Sequence, residues 1–406
     1  MQNDLKMVLM KKIVVHLYLA LWCLYNLQGT LYVSGGVLSR SLFGVLIVWS
    51  LYYFVIANLQ YRLPRVMKIL SLLIAIWTIY GVISLLTRHA AHITSPYYYL
   101  RNILGALLPI YSFFVFTKKE QLTERVLTGW LYVFLIIGIA QFYRGYNLRM
   151  QETGREEVTN NAGYTVLSIM PLLPLLRRRP IIQYSFFAVL MFYVFQGFKR
   201  GAIVAGVLCS VFFLIETIRI SRRSRKGIKV SFLLRILLTI IMVIVAVYVI
   251  QHFMLTSDYF NRRLDATLEG DSSGRDMIYS SYYSWFINQN NIFAFVFGNG
   301  GDATLKLFGN YAHNDWLEIA IDNGLWMVLL YAFYWISLLF FFLRLRKKNT
   351  TAYIITGMFF IVYFCRTIVS MSYNDISTYA ACALGYAIAI GELTTQKPQE
   401  HPIEST

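Results

Sequence analysis

Residues 231–251 read SFLLRILLTIIMVIVAVYVIQ, and this stretch decides the fold class. Its only charge is Arg235, close to its start. A bilayer core about 30 Å thick takes roughly 17–25 apolar residues per helix, so the run predicts a membrane helix. Working outward from it, runs of similar character recur at 13–33, 42–60, 69–87, 103–117, 126–143, 162–176, 181–198, 201–218, 316–343, 351–370 and 375–391, making twelve in all. The runs at 181–198 and 201–218 are separated only by Lys199, Arg200 and Gly201. Two adjacent cations at a bilayer centre are costly, so the tripeptide reads as a tight turn at the membrane surface.

Composition agrees. The chain has 406 residues, 57% hydrophobic and 14% charged, with a mean hydropathy of +0.54. An ordinary globular protein is about 25% charged. A disordered chain, a soluble enzyme and a coiled coil are excluded. The net charge of +17 would suggest nucleic acid in a soluble protein. With the N-terminus inside and the runs alternating, however, 24 of the 37 basic residues fall inside and about 13 of the 20 acidic ones outside. This is the positive-inside pattern. The charge therefore encodes orientation, both termini are expected in the cytoplasm, and no nucleic-acid partner is implied.

The expected architecture is an all-α polytopic membrane protein. Nine helices occupy 1–251, a large outside loop 252–315, three further helices 316–393, and a polar, disordered cytoplasmic tail 394–406. The first run follows Lys6, Lys11 and Lys12 and has no small-residue cleavage site after it, so it reads as a helix and not a removed signal peptide. Cys23, Cys209, Cys365 and Cys382 lie in apolar runs without a CxxC pair, so they read as buried small hydrophobes.

The outside face carries the polar chemistry. In the long loop, Ser273 and Asp276 have capping-box spacing. Ile278, Tyr282, Trp285 and Phe286 follow at helical spacing, which predicts a short helix with Arg275 in its first turn. The unpaired N–H groups and positive dipole of that turn favour an anion; the plainer reading is a surface Arg paired with Asp271 or Asp276. Gly298-Asn299-Gly300-Gly301 reads as a tight turn, with no P-loop or dinucleotide context. At the mouth of the tenth run stands His313, beside Asn314 and Asp315, with Asn314, Glu318 and Asp322 at i, i+4 spacing. An interfacial His among polar residues suits proton transfer near neutral pH; a helix-cap histidine is the plainer reading. Lys199 and Arg200 oppose the positive-inside trend, which a bound diphosphate or simple snorkelling would explain. No Asp or Glu occurs between Asp4 and Glu120. With no acidic metal-ligand pattern there, a metal-independent chemistry is expected.

The segment from His313 to Gly324 resembles the signature of the O-antigen ligase family, which also includes polysaccharide polymerases. That signature is His, then Asn, Ser or Gln, nine residues, Gly, two residues and Gly. This chain has His313, Asn314 and Gly324 in register, with Met327 at the last position. Lys199-Arg200-Gly201 is similar to the family's Arg-Gly hairpin, and Ser273-Gly274-Arg275 to its periplasmic Ser-Gly-Arg. The resemblance covers about a third of the chain. It implies a GT-C-like glycosyltransferase of about twelve helices in a bacterial inner membrane, with its active site facing the periplasm. The implied donor is a glycan on undecaprenyl diphosphate, bound from the membrane lipid, with no further cofactor and no metal. The implied acceptor is a sugar hydroxyl on a glycan or on lipid A core, and attack inverts the anomeric centre. His313 would be the catalytic base and Lys199, Arg200 and Arg275 the diphosphate ligands. Asn314, Asp315, Glu318 and Asp322 would support the histidine, and Tyr279, Tyr282, Tyr283 and Trp285 would stack on sugars. Met327 leaves ligase and repeat-unit polymerase both open. A flippase is the remoter alternative, opposed by the absence of a two-fold repeat and by the placement of polar residues in one outside loop.

Overall fold

In the computed structural model of the chain, residues 2–86, 96–155, 157–223, 228–269 and 274–396 are described. Among them there are helices and loops but no named strand. The helices are α1 (Gln2–Asn26), α2 (Val37–Gln60), α3 (Arg65–Leu86), α4 (Pro96–Lys118), α5 (Glu124–Thr153), α6 (Ala162–Leu167), α7 (Pro180–Gln196), α8 (Arg200–Arg223), α9 (Ile228–Thr256), α10 (Asp258–Leu268), α11 (Arg275–Ile287), α12 (Ile292–Phe297), α13 (Ala303–Phe308), α14 (Asp315–Asn323), α15 (Leu325–Leu345), α16 (Thr350–Val369) and α17 (Thr378–Gln396). A 3-10 segment, Met170–Leu176, continues α6, and its Pro171 and Pro174 supply no backbone donors for an α-helix.

The chain is a multi-pass membrane protein. Among the described residues, α2, α3, α4, α5, α8, α9, α15 and α16 are each long and apolar enough to cross a bilayer. The other expected runs are helical and apolar but shorter: Lys12–Asn26, Ala162–Leu176, Pro180–Gln196 and Thr378–Leu393. The centre of the bundle is α4, with 72% of its apolar stretch buried, whereas α9 has only 6% buried and presents its Ile and Val side chains outward. The Ala-rich α17 packs on α4. A Cβ on Gly385 would lie 2.9 Å from the Phe113 Cβ and closer still to the Ile110 carbonyl oxygen. Small residues allow such backbone approach where both neighbours are apolar.

Several expectations need correction. The run at 316–343 is not one helix, because the backbone breaks at Gly324 between α14 and α15. The helix of the first run ends at Asn26, not 33, and α9 continues to Thr256 before the long loop begins. The expected tail starts too early, since α17 extends to Gln396; residues 397–406 lie outside the described residues, as do Asp271 and Ser273 with its capping box. The loop at 252–315 is built from α10 to α13. Arg366, within the span of α16, is tolerated because it is neutralised locally. Its guanidinium lies 2.5 Å from the Asp375 carboxylate, donates to Met371 O at 2.8 Å, and sits 4.6 Å over the Tyr164 ring.

Candidate active site

The turn between α7 and α8 is as tight as the sequence suggests. Gly197, Phe198 and Lys199 are all that separates the helices, and Phe198 adopts φ 47°. That strained residue is held by its ring, which packs on Phe253, Tyr259 and Phe260. Gly201 then permits close approach: a Cβ there would lie 2.7 Å from Val369 and would also strike the Tyr164 hydroxyl. The start of α8 is thereby drawn against the end of α16.

Arg275 arrives at the same place from the long loop at 252–315. It is the first residue of α11, after Gly274 at φ 76°, and its Nη1 donates to Val369 O at 2.6 Å. Lys199, Arg200 and Arg275 thus line one cavity of about 600 Å³. Asp276 and Tyr279 also line it, and Val204, Cys365, Ile368 and Val369 form apolar walls. Three cations opposite one carboxylate, on walls that are otherwise apolar, suit an anionic headgroup joined to a hydrocarbon.

His313 stands beside this cavity. The Tyr279 hydroxyl lies 3.1 Å from His313 O and 3.0 Å from Ile368 O, so one side chain ties the histidine's backbone to the cavity wall. Asn314 does the same from the next residue, its Nδ2 donating to Ile368 O at 3.1 Å. Asn314 also caps α14, its Oδ1 accepting from Trp316 N at 2.9 Å and Leu317 N at 3.2 Å. His313 has φ 53°, an uncommon conformation for a residue other than glycine. Partial burial, then the charge of Arg275, then that of Lys199 lower its pKa from 6.5. The imidazole is therefore neutral at pH 7, the form that accepts a proton.

The three acids do not face the histidine. Asp315, Glu318 and Asp322 are fully buried on α14, a nine-residue helix too short to cross a membrane. Glu318 accepts from Ala312 N at 2.7 Å and from the Thr304 hydroxyl. Asp322 accepts from Thr304 N at 2.9 Å and Asp302 N at 3.1 Å. Asp315 accepts from the Tyr331 and Ser372 hydroxyls, both at 2.6 Å, and from Ser372 N at 2.8 Å. Burial raises the pKa of all three. Their support is indirect: they fasten the segments on either side of His313 to α14. The i, i+4 face shared by Asn314, Glu318 and Asp322 has this bracing use.

The motif glycine has an equally local cause. Gly324 has φ 81° and ψ 175°, and Gly298, opposite it, has φ 80° and ψ −175°. This region is essentially closed to other residues. Each lies against the other's chain, a Cβ on Gly324 coming within 2.5 Å of Gly298 N. The break exposes carbonyls at the end of α14, and the Gly298–Gly301 turn caps them: Asn299 N donates to Ile321 O at 3.1 Å and Gly300 N to Asp322 O at 2.9 Å. The turn therefore approaches a helix end. Met327 is fully buried in the bundle core.

Among the expected sugar-stacking residues, Tyr282 and Trp285 are occupied within the outside loop. Tyr282 stacks on Phe308 at 4.0 Å and Trp285 meets the same ring edge-on, while Tyr283 is exposed. The sequence reading passed over Tyr164 and Arg366 as site neighbours, although a lone Arg inside an apolar run was a signal for the latter. Among the described residues no three His, Cys, Asp or Glu side chains converge as metal ligands. No protein-family profile matches this chain, and no curated protein matches it.

Proposed function

We propose that the chain is a metal-independent, inverting membrane glycosyltransferase of the O-antigen ligase type, moving a glycan from a polyprenyl diphosphate, undecaprenyl diphosphate in the family it resembles, to an acceptor sugar hydroxyl. The observation that carries this reading is the meeting of Lys199, Arg200 and Arg275 at one cavity with apolar walls beside His313. The diphosphate would lie on the three cations with its hydrocarbon chain toward the bilayer. The acceptor oxygen attacks the anomeric carbon while the bond from that carbon to the diphosphate oxygen breaks. The lipid diphosphate leaves with the bonding electrons, and His313 takes the proton of the attacking hydroxyl. Arg200 and Arg275 stabilise the charge that grows on the leaving oxygens, the part of such a reaction where fixed cations contribute most.

The twelve-span, GT-C-like topology belongs to the same reading, as do an inner-membrane location, cytoplasmic termini and a periplasmic site. The four shorter apolar helices and the charge asymmetry support it. Repeat-unit polymerisation uses the same chemistry with another repeat unit as acceptor. The test is transfer by purified protein from a lipid diphosphate-linked glycan to an acceptor saccharide, wild type against Arg200→Ala. Transfer by the wild type and its loss in the variant are expected; equal transfer by both sinks the reading. Deleting the gene and running the surface polysaccharide on a gel separates the two acceptors. Loss of all long chains from lipid A with free polymer accumulating marks a ligase, and a single repeat on the core marks a polymerase.

A further inference from the structure

A second cavity, of about 200 Å³, opens at the same end of the bundle as the cation cavity. It lies where α1 ends at Asn26 and α17 begins at Thr378, and its wall is polar in a chain that is otherwise apolar. Polar groups set among apolar helices cost free energy unless they are bonded, so a concentration of them asks for an explanation.

The chemistry of the wall is that of carbohydrate recognition. The largely buried rings of Trp22 and Tyr25 border it, the Asn102 amide is exposed at it, and the bonded Gln141 amide and Ser377 hydroxyl stand in its wall. Gln141 is locked in place: its Nε2 donates to Asn26 O at 3.1 Å and its Oε1 accepts from the Tyr379 hydroxyl at 2.9 Å. The Trp22 indole N–H is buried with no hydrogen-bond partner among the described residues. Two charged side chains reach this wall, and both are engaged. Arg101 donates to the Tyr25 hydroxyl at 3.0 Å and rests 5.6 Å over the Phe43 ring, and Asp375 is paired with Arg366. What the cavity presents to a ligand is the exposed Asn102 amide and the Arg101 guanidinium, which keeps its charge and further N–H donors because a phenol hydroxyl and a ring do not neutralise it. A hydrocarbon would strip water from these groups without replacing it, whereas the hydroxyls of a sugar ring accept from both.

The two cavities share a wall. The segment joining α16 to α17 leaves the cation cavity at Ile368 and Val369 and reaches the polar cavity at Asn374 and Asp375. Between them, Asp315 fixes Ser372 and Tyr373. Arg366 joins the sides, holding Asp375 on one and stacking on Tyr164, which touches Gly201, on the other.

We propose that this polar cavity binds one sugar ring of the saccharide substrate, at a site separate from Lys199, Arg200 and Arg275. The assignment of a saccharide substrate rests on the transferase reading, but the site is tested by binding and not by transfer. Purified protein in lipid nanodiscs is mixed with a panel of neutral hexoses and N-acetylhexosamines, and saturation-transfer NMR reads which sugars bind. At least one sugar is expected to receive saturation from the wild type. Asn102 is exposed at the cavity, so Asn102→Phe blocks it without entering the packed interior and should cut the signal at least tenfold. Asn102→Ala, the smaller change, should weaken it severalfold. Arg200→Ala should leave it intact. No saturation of any sugar overturns the proposal, as does an unchanged signal in both Asn102 variants or a signal lost equally in Arg200→Ala. A wild type that binds sugar in this pattern and transfers no glycan upholds the cavity and refutes the transferase reading.

Discussion

Replacing Gly324 by Ala should destabilise the protein far more than its single added methyl suggests. At φ 81° and ψ 175° the new side chain sits in a region that costs about 1–3 kcal/mol. Its Cβ would also lie 2.5 Å from Gly298 N and nearer still to the Val296 carbonyl, both backbone atoms that cannot swing aside. If the Gly298 turn withdraws, the bonds from Asn299 N to Ile321 O and from Gly300 N to Asp322 O go with it. Each contributes about 0.5–1.5 kcal/mol. The sum is about 4 kcal/mol, close to a thousandfold change in a folding equilibrium. Gly129→Ala is the matched control: it lies inside α5, and a Cβ there meets nothing within 4 Å. It should gain about 0.5–1 kcal/mol from helix propensity. The assay is thermal unfolding in detergent followed by tryptophan fluorescence. Gly324→Ala should melt well below the wild type and Gly129→Ala at or above it. Equal midpoints for the two variants would refute the account of the helix break. Because the break seats α14, Gly324→Ala should also lose glycan transfer.

His313→Ala should abolish transfer with normal protein in the membrane; near-normal surface polysaccharide from that variant would remove the base assignment. Arg275→Lys should be nearly as damaging as Arg275→Ala, because a Lys cannot hold Val369 O and fork onto a phosphate at once; full activity with Lys would reduce the residue to a point charge. The acid limb of the kcat/KM profile should be centred below the 6.5 of a free imidazole, activity rising as pH rises through it, since the base acts in its neutral form and its pKa is lowered. Removing the Arg275 cation lets that pKa rise, so the acid limb of any residual activity in Arg275→Ala should move to higher pH, and an unmoved limb would break the link between the two residues. Transfer should survive a chelator, and a strict need for added divalent metal would contradict the proposed chemistry.

Much of the fold was legible in one dimension, since hydropathy and helix length are local properties. The run at 231–251 and its companions announced a multi-pass helical protein, and Lys199-Arg200-Gly201 announced a turn because the cost of buried charge forbids a continuous helix there. The break at Gly324 was not legible. Its cause is the backbone of a distant turn pressing on that residue, and Asp322-Asn323-Gly324 is too short an interruption of the apolar run to reveal that turn. The partners of the α14 acids were not legible for a similar reason. Asp315, Glu318 and Asp322 stand near His313 in sequence, but their hydrogen bonds lead to Ser372, Thr304, Ala312 and Asp302. Sequence by itself determined which residue types were available: the cations Lys199, Arg200 and Arg275, a histidine beside Asn314, and a membrane setting. Only the tertiary structure decided which of them meet. Lys199 comes from the turn between α7 and α8 and Arg275 from the start of α11, and they share a cavity because Gly201 lets α8 close on α16 while the Val369 carbonyl receives Arg275, contacts between segments that no local pattern encodes.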